Sequence, residues 1–219
     1  MKDSIILVDK PAGISSFGVV AKVRGYLKAK YGHKIKIGHT GTLDPFATGL
    51  LILLTGKMTK KSNDLLKHDK TYEATLKLGF TSTTGDPEGE IQEYGRVRPE
   101  LDTVQSCLQS FLGEIEQTPP RFSAIKINGQ RAYKLARKGE DFEIPKRKVT
   151  IYSIEILDYN YPELKIRTHV SSGTYIRTLA EDIGKALDTG AYLTALRRTE
   201  VGEYKVEDAE PLENFNFVL

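Results

Sequence analysis

Gly38-His-Thr-Gly-Thr-Leu-Asp-Pro-Phe-Ala-Thr-Gly-Leu-Leu51 sets one carboxylate, Asp44, among glycines at 38, 41 and 49 and a proline at 45. Glycine and proline clustered in this way fix turns and let the backbone pass close to a ligand. The apolar run Leu50-Leu-Ile-Leu-Leu54 follows at once and reads as a buried strand. An acid on a rigid loop beside a buried element is well placed to hold a reactive group in one position. By spacing alone, an Asp that caps a backbone N–H in a structural turn explains the pattern as well.

Working outward, Ser4–Val8 reads as a strand, and Ser15 or Ser16 can cap a helix running to about Tyr31 with Val19, Val20, Val23 and Leu27 on one face. Lys34–Ile37 reads as a short strand and Met58–Leu66 as helical. Tyr72, Ala74, Leu76 and Leu78 alternate with polar residues, the mark of a half-buried strand. Ser82–Glu90 is a Gly/Asp/Pro loop, and Pro99–Leu112 an amphipathic helix. After Thr118-Pro-Pro120, the Asn128-Gly129 pair predicts a hairpin from Ser123 to Tyr133, and a basic helical stretch follows at Tyr133–Lys138. Strands are expected at Lys148–Leu157 and Glu163–Val170, a helix at Thr174–Leu187 and a last strand near Arg198–Lys205. Strands and helices mix without a regular βαβ rhythm. The expected class is α+β, with a mixed, mostly antiparallel central sheet flanked by helices.

The chain has 219 residues, 39% of them apolar and 28% charged, as in ordinary soluble proteins. No apolar run is long enough to span a bilayer, and no membrane partner and no signal peptide are expected. One cysteine, Cys107, excludes an intrachain disulfide framework and fits a reducing cytoplasm; it shares an apolar helix face with Val104, Leu108 and Phe111. The net charge of +3 is unevenly spread. The first eighty residues hold fourteen Lys and Arg against six Asp and Glu, which suits a polyanionic ligand as well as a solvated surface.

Four further stretches stand out: Asp9-Lys-Pro-Ala-Gly-Ile-Ser-Ser16, Asp69-Lys-Thr-Tyr72, Ser171-Ser-Gly-Thr-Tyr-Ile-Arg-Thr178 and Leu196-Arg-Arg198. With the Asp44 stretch, and in this order, they resemble the motif series of the TruB family of pseudouridine synthases. The resemblance spans most of residues 5–200. It implies isomerisation of a uridine in the tRNA T-loop, at position 55 in tRNA numbering. The expected domain plan is one catalytic domain over residues 1–219. It carries a thumb-like RNA-binding insertion at about 119–147 and no C-terminal PUA domain. The partner expected is the tRNA T-arm, and a monomer acting in the cytoplasm is expected.

In that reaction the ribose C1′–N1 bond breaks, the base rotates, and a C1′–C5 bond forms. Nothing is oxidised and no group is lost, so neither metal nor cofactor is expected. The sequence holds no zinc-type Cys/His spacing and no Walker pattern.

The resemblance assigns roles residue by residue. Asp44 is the catalytic carboxylate, either attacking the ribose or helping to expel uracil toward a glycal. Arg177 is its matching cation, since guanidinium can hold a carboxylate by two hydrogen bonds. Tyr72 stacks on the base and takes or relays a proton. Tyr175 and Leu196 wall the base pocket, and Asp86 attends the tyrosine and the base. His39 enters the RNA loop, filling the space left by flipped bases, and Arg198 contacts phosphates with the lysines of the thumb-like segment. Thr83 stands where relatives often place another acid. Three rival functions fit parts of the pattern: a T-arm RNA chaperone, a synthase guided by a separate RNA, and a carboxylate-based nucleosidase.

Overall fold

The computed structural model describes residues 3–95 and 97–215. In chain order it runs β1 (Ile5–Lys10), α1 (Ser16–Tyr31), β2 (Ile37–His39), β3 (Thr48–Thr55), a 3-10 turn (Gly56–Lys61), α2 (Ser62–Leu66) and β4 (Lys70–Leu78). Then come β5 (Phe80–Ser82), β6 (Ile91–Glu93), α3 (Leu101–Gln109), β7 (Gly113–Gln117), β8 (Lys126–Ile127), β9 (Gln130–Arg131) and α4 (Ala132–Arg137). The last elements are β10 (Arg147–Asn160), β11 (Glu163–Val170), α5 (Ile176–Ala186), β12 (Ala191–Val201), β13 (Tyr204–Lys205) and β14 (Glu210–Pro211), with 3-10 turns at Val206–Asp208 and Leu212–Phe215. The class is α+β, as the mixed pattern predicts. Contacts divide the chain into two compact units, one built from residues up to Tyr72 and from Leu196 onward, the other from Glu73–Ala195.

In the first unit the strand order is β14-β1-β3-β12. β1 and β2 lie antiparallel to β3, whereas β12 joins it in parallel through Arg197 opposite Thr48 and Arg198 opposite Gly49. β3 explains why its sequence is apolar without alternation. Leu51 and Leu53 pack with Val19, Val20, Val23 and Leu27 of α1, while Leu50, Ile52 and Leu54 pack with Leu65, Val201 and Val206. Side chains alternate across a strand, so a strand covered on both faces must be apolar throughout. α1 starts where expected. The Ser15 hydroxyl accepts from the Gly18 amide at 3.0 Å, and Gly32 closes the helix in the left-handed region at φ 73°.

In the second unit the order is β4-β11-β10-β7, with β10 antiparallel to both neighbours. The buried Leu164, Ile166 and Val170 of β11 alternate with exposed or half-buried polar residues. The Asn128-Gly129 hairpin is present. Both residues take positive φ, 48° and 83°, as a two-residue turn matched to strand twist requires.

Three expected helices differ in extent, the one expected over Pro99–Leu112 running only from Leu101 to Gln109. Met58–Leu66 splits into the 3-10 turn and α2. α5 begins at Ile176, because the Thr174 hydroxyl bonds back to the Ser171 carbonyl at 2.9 Å and Gln117 takes the Tyr175 amide. Cys107 is half-buried beside the fully buried Val104 and Leu108, and burial pushes its thiol pKa up.

Candidate active site

The Asp44 loop of the first unit is held at fixed points on both sides of the acid. The Ser16 hydroxyl donates to the Leu43 carbonyl at 2.9 Å and accepts from the Leu43 amide at 2.8 Å. The Pro45 carbonyl accepts from the Gly13 amide at 2.9 Å and from the Lys10 ammonium at 3.1 Å. Lys10 is fully buried and also donates to the carbonyls of Pro11 and Ile14. The Ala47 amide returns to the Asp44 carbonyl at 3.1 Å, closing a tight turn. Asp44 itself is half-buried. A carboxylate whose neighbours are pinned in this way loses little entropy when it acts.

Arg198 ties the two ends of the same loop together. Its Nε donates to the Leu50 carbonyl at 2.8 Å and an Nη to the Gly41 carbonyl at 3.1 Å. The side chain is 1% exposed. A guanidinium shut from solvent and committed to two main-chain carbonyls braces the loop. Gly49 is required next to it. Its φ is +100°, and a Cβ there would stand 2.8 Å from the Arg198 amide nitrogen and run into the Arg198 carbonyl.

His39 ends β2 and is half-buried. Burial, reinforced by the Arg198 charge, holds its pKa below the ordinary imidazole value, while the Gly41 backbone pulls the other way. Its Nδ1 is buried with no hydrogen-bond partner among the described residues. Leu196 is buried on β12, and its carbonyl accepts from the Thr48 hydroxyl at 3.5 Å. Tyr72 is buried on β4, next to Thr71, whose hydroxyl bonds Glu200 at 2.8 Å. The preceding Lys70 donates to the carbonyls of Leu66 and His68, and burial with the Arg198 charge lowers its pKa to about 8 against the pull of Asp69.

The second unit holds the other expected residues. Arg177, in the first turn of α5, is 5% exposed. One Nη donates to the Asp86 carboxylate at 3.2 Å and to the Thr84 carbonyl at 3.0 Å; the other donates to the Phe122 carbonyl at 2.9 Å. Asp86 also accepts from the Thr84 hydroxyl at 2.6 Å and the Glu88 amide at 3.0 Å. With 3% of its surface exposed and both oxygens engaged, Asp86 organises its own loop and holds Arg177. Next door, burial pushes the Glu181 carboxyl pKa up. Tyr175 is half-buried, and its amide and carbonyl are both taken by the side chain of the buried Gln117, at 3.0 and 3.3 Å.

Sequence reasoning missed the framing residues. Asp9 receives both Nη atoms of Arg197, at 3.1 and 2.7 Å, so the first and last motifs are joined by a two-pronged ion pair. A lysine closing an apolar strand just before a proline was the visible sign of Lys10. Gln117 had no sign beyond its place before Thr118-Pro-Pro120.

Two family models match end to end. Residues 26–176 match the TruB family pseudouridylate synthase N-terminal domain, and residues 177–217 match the tRNA pseudouridylate synthase B C-terminal domain. The chain belongs to the TruB family of pseudouridylate synthases. Among TruB relatives, the tRNA pseudouridine synthase B of Phocaeicola vulgatus is 50% identical over 213 residues, 96% of this chain and 91% of that protein. The protein of the same name from Bacteroides thetaiotaomicron is 46% identical over 222 residues, 98% of this chain and 92% of its own. Among solved structures, a chain of a Cbf5-Nop10-Gar1 complex matches with a TM-score of 0.72 and 32% identity, over 95% of this chain and 52% of that one. A chain of an H/ACA RNP bound to a substrate RNA containing 2'-deoxyuridine matches with a TM-score of 0.69 and 30% identity, over 95% of this chain and 51% of that one. The chain thus spans about half the length of those two solved chains.

Proposed function

We propose that this chain isomerises uridine to pseudouridine in tRNA, at the T-loop uridine that the motif series implies, and that it does so in the cytoplasm as a monomer. The observation that carries the reading is the Asp44 loop. A half-buried carboxylate is pinned through Leu43 and Pro45 by Ser16, Gly13 and Lys10, in a chain whose TruB models span residues 26–217.

Asp44 acts at C1′ of the extruded nucleotide. Arg177, which Asp86 and two carbonyls hold in one rotamer, is the cation this reading assigns to the reaction. Tyr72 supports the base by stacking and handles the proton at C5 through its phenol. Leu196 and Tyr175 wall the base pocket, and His39 fills the gap in the RNA loop. An imidazole kept neutral by burial can stack there without the desolvation cost of a charge. Extruding the base is needed because neither C1′ nor C5 can be reached within a stacked loop. The basic residues of segment 119–147, Lys126, Lys134 and Lys138 among them, meet the phosphates.

Tritium release from tRNA carrying 5-tritiated uridine, followed by mapping of the modified position, tests this directly. Release at the T-loop uridine is expected. Free uracil instead of pseudouridine would make the chain a nucleosidase. Refolding of tRNA by an Asp44→Asn variant with no release by the parent protein would make it a chaperone.

A further inference from the structure

Arg147 begins β10, and its backbone pairs with Gln117 of β7. Gln117 is the residue whose amide side chain clamps the main chain of Tyr175, and the Arg147 guanidinium lies 5.9 Å from the centre of the Tyr175 ring. Neighbouring residues on two paired strands therefore both address Tyr175. One fixes its backbone, and the other covers its ring.

Among the described residues, no carboxylate matches the charge of Arg147. Its chain neighbours are matched, since Lys146 meets Glu116 at 3.9 Å and Lys148 meets Glu114 at 2.7 Å. The Arg147 Nε is buried without an acceptor among the described residues. Leaving a half-buried guanidinium nitrogen unsatisfied is costly unless a ligand completes it. Gly173 presents bare backbone beside the fork, where a Cβ would already touch the nearest Arg147 Nη at 3.6 Å, so the missing side chain leaves that side of the fork uncovered. The planar guanidinium fork matches two oxygens of a phosphodiester, and the positive N-terminal end of α5 lies just beyond Tyr175.

We propose that Arg147 grips the RNA backbone phosphate next to the nucleotide received by Tyr175. The inference rests on the reading of Tyr175 as a wall of the base pocket. The reacting base is then fixed from two sides, through its ring face by Tyr175 and through its backbone by Arg147. Neither contact requires the other phosphates of the stem.

The test uses T-arm stem-loop RNAs in which one linkage at a time is an uncharged methylphosphonate. Affinity and pseudouridine formation are measured for the parent, Arg147→Gln and Arg147→Lys proteins. For the parent, one linkage beside the target uridine should stand out, with affinity lowered about tenfold. Arg147→Gln should bind natural RNA about tenfold more weakly and become indifferent to that one linkage, while still sensing the others. Arg147→Lys should recover part of the loss. If Arg147→Gln still senses every linkage as the parent does, Arg147 only props Tyr175 and the proposal is overturned. It is overturned too if inorganic phosphate competes with every RNA equally, whichever linkage is neutral. Pseudouridine formation reports separately on the functional reading. A parent protein that shows the single-linkage effect on affinity but forms no pseudouridine would support the phosphate grip and sink the enzyme assignment.

Discussion

Arg177 and Asp86 form a buried ion pair, 3.2 Å apart, with only 5% of either side chain exposed. Such a pair survives only when its remaining hydrogen bonds are satisfied. Here Asp86 has Thr84 and Glu88 as further donors, and Arg177 has the Thr84 and Phe122 carbonyls as further acceptors. An arginine in the first turn of a helix gains nothing from the dipole. The Asp86 carboxylate is what makes this position tenable.

Asp86→Ala should therefore cost about 3 kcal/mol or more, because it strands a buried guanidinium. Denaturant unfolding measures the loss. Turnover should fall further than stability explains, since Arg177 would leave the rotamer that its role requires. Arg177→Lys should likewise cut activity sharply while RNA affinity stays near the parent value. A parent-like rate in either variant would remove Arg177 from the chemistry.

Asp44→Asn should fold and bind RNA but form no pseudouridine. The loop is held by main-chain contacts at Leu43 and Pro45, so an isosteric amide leaves it intact, and an amide is no nucleophile. Turnover by the pure variant at even a tenth of the parent rate would defeat the assignment.

Tyr72→Phe keeps the buried ring and removes the hydroxyl. Binding should survive and the chemical step should fail in single-turnover measurements. Weakened RNA affinity with an unchanged rate at saturation would contradict the proton-handling role.

Gly49→Ala tests the brace. The left-handed φ alone costs about 1–3 kcal/mol for a residue with a side chain, and overlap with Arg198 adds to it. A fall in Tm of several degrees is expected, with Asp44 chemistry impaired in the folded fraction. A parent-like Tm would show that the loop relaxes around the added methyl.

His39 predicts a pH dependence. Its folded pKa lies below the ordinary 6.5, so above pH 6.5 both folded and unfolded forms are neutral and the contribution to stability is whole. As pH falls through 6.5 toward the folded value, the unfolded chain takes up a proton that the folded one resists, and that contribution is lost. The stability of the parent should drop more steeply below pH 6.5 than that of His39→Asn. Parallel curves would mean that His39 is ordinarily solvated.

The hydrophobic pattern, the cap residues and the turn pairs are local, and the sequence by itself determined what depends on them. α1 with its Ser15 cap, the doubly covered β3 and the Asn128-Gly129 hairpin all read correctly, because their causes lie within a few residues. The motif series placed Asp44 in a stiff loop for the same reason. Roles that depend on distant partners were beyond it. Arg198 was expected at phosphates, and its hold on the carbonyls of Gly41 and Leu50 depends on the pairing of β12 with β3. The pairing of Asp86 with Arg177 spans 91 residues of chain and was not visible either. Gln117 looked like an ordinary polar residue and Lys10 showed only as a lysine closing an apolar strand, yet each is buried and satisfies the backbone of a segment far away in sequence. A charged or amide side chain can be buried only where the fold supplies its partners. Those partners exist only once the strands have paired.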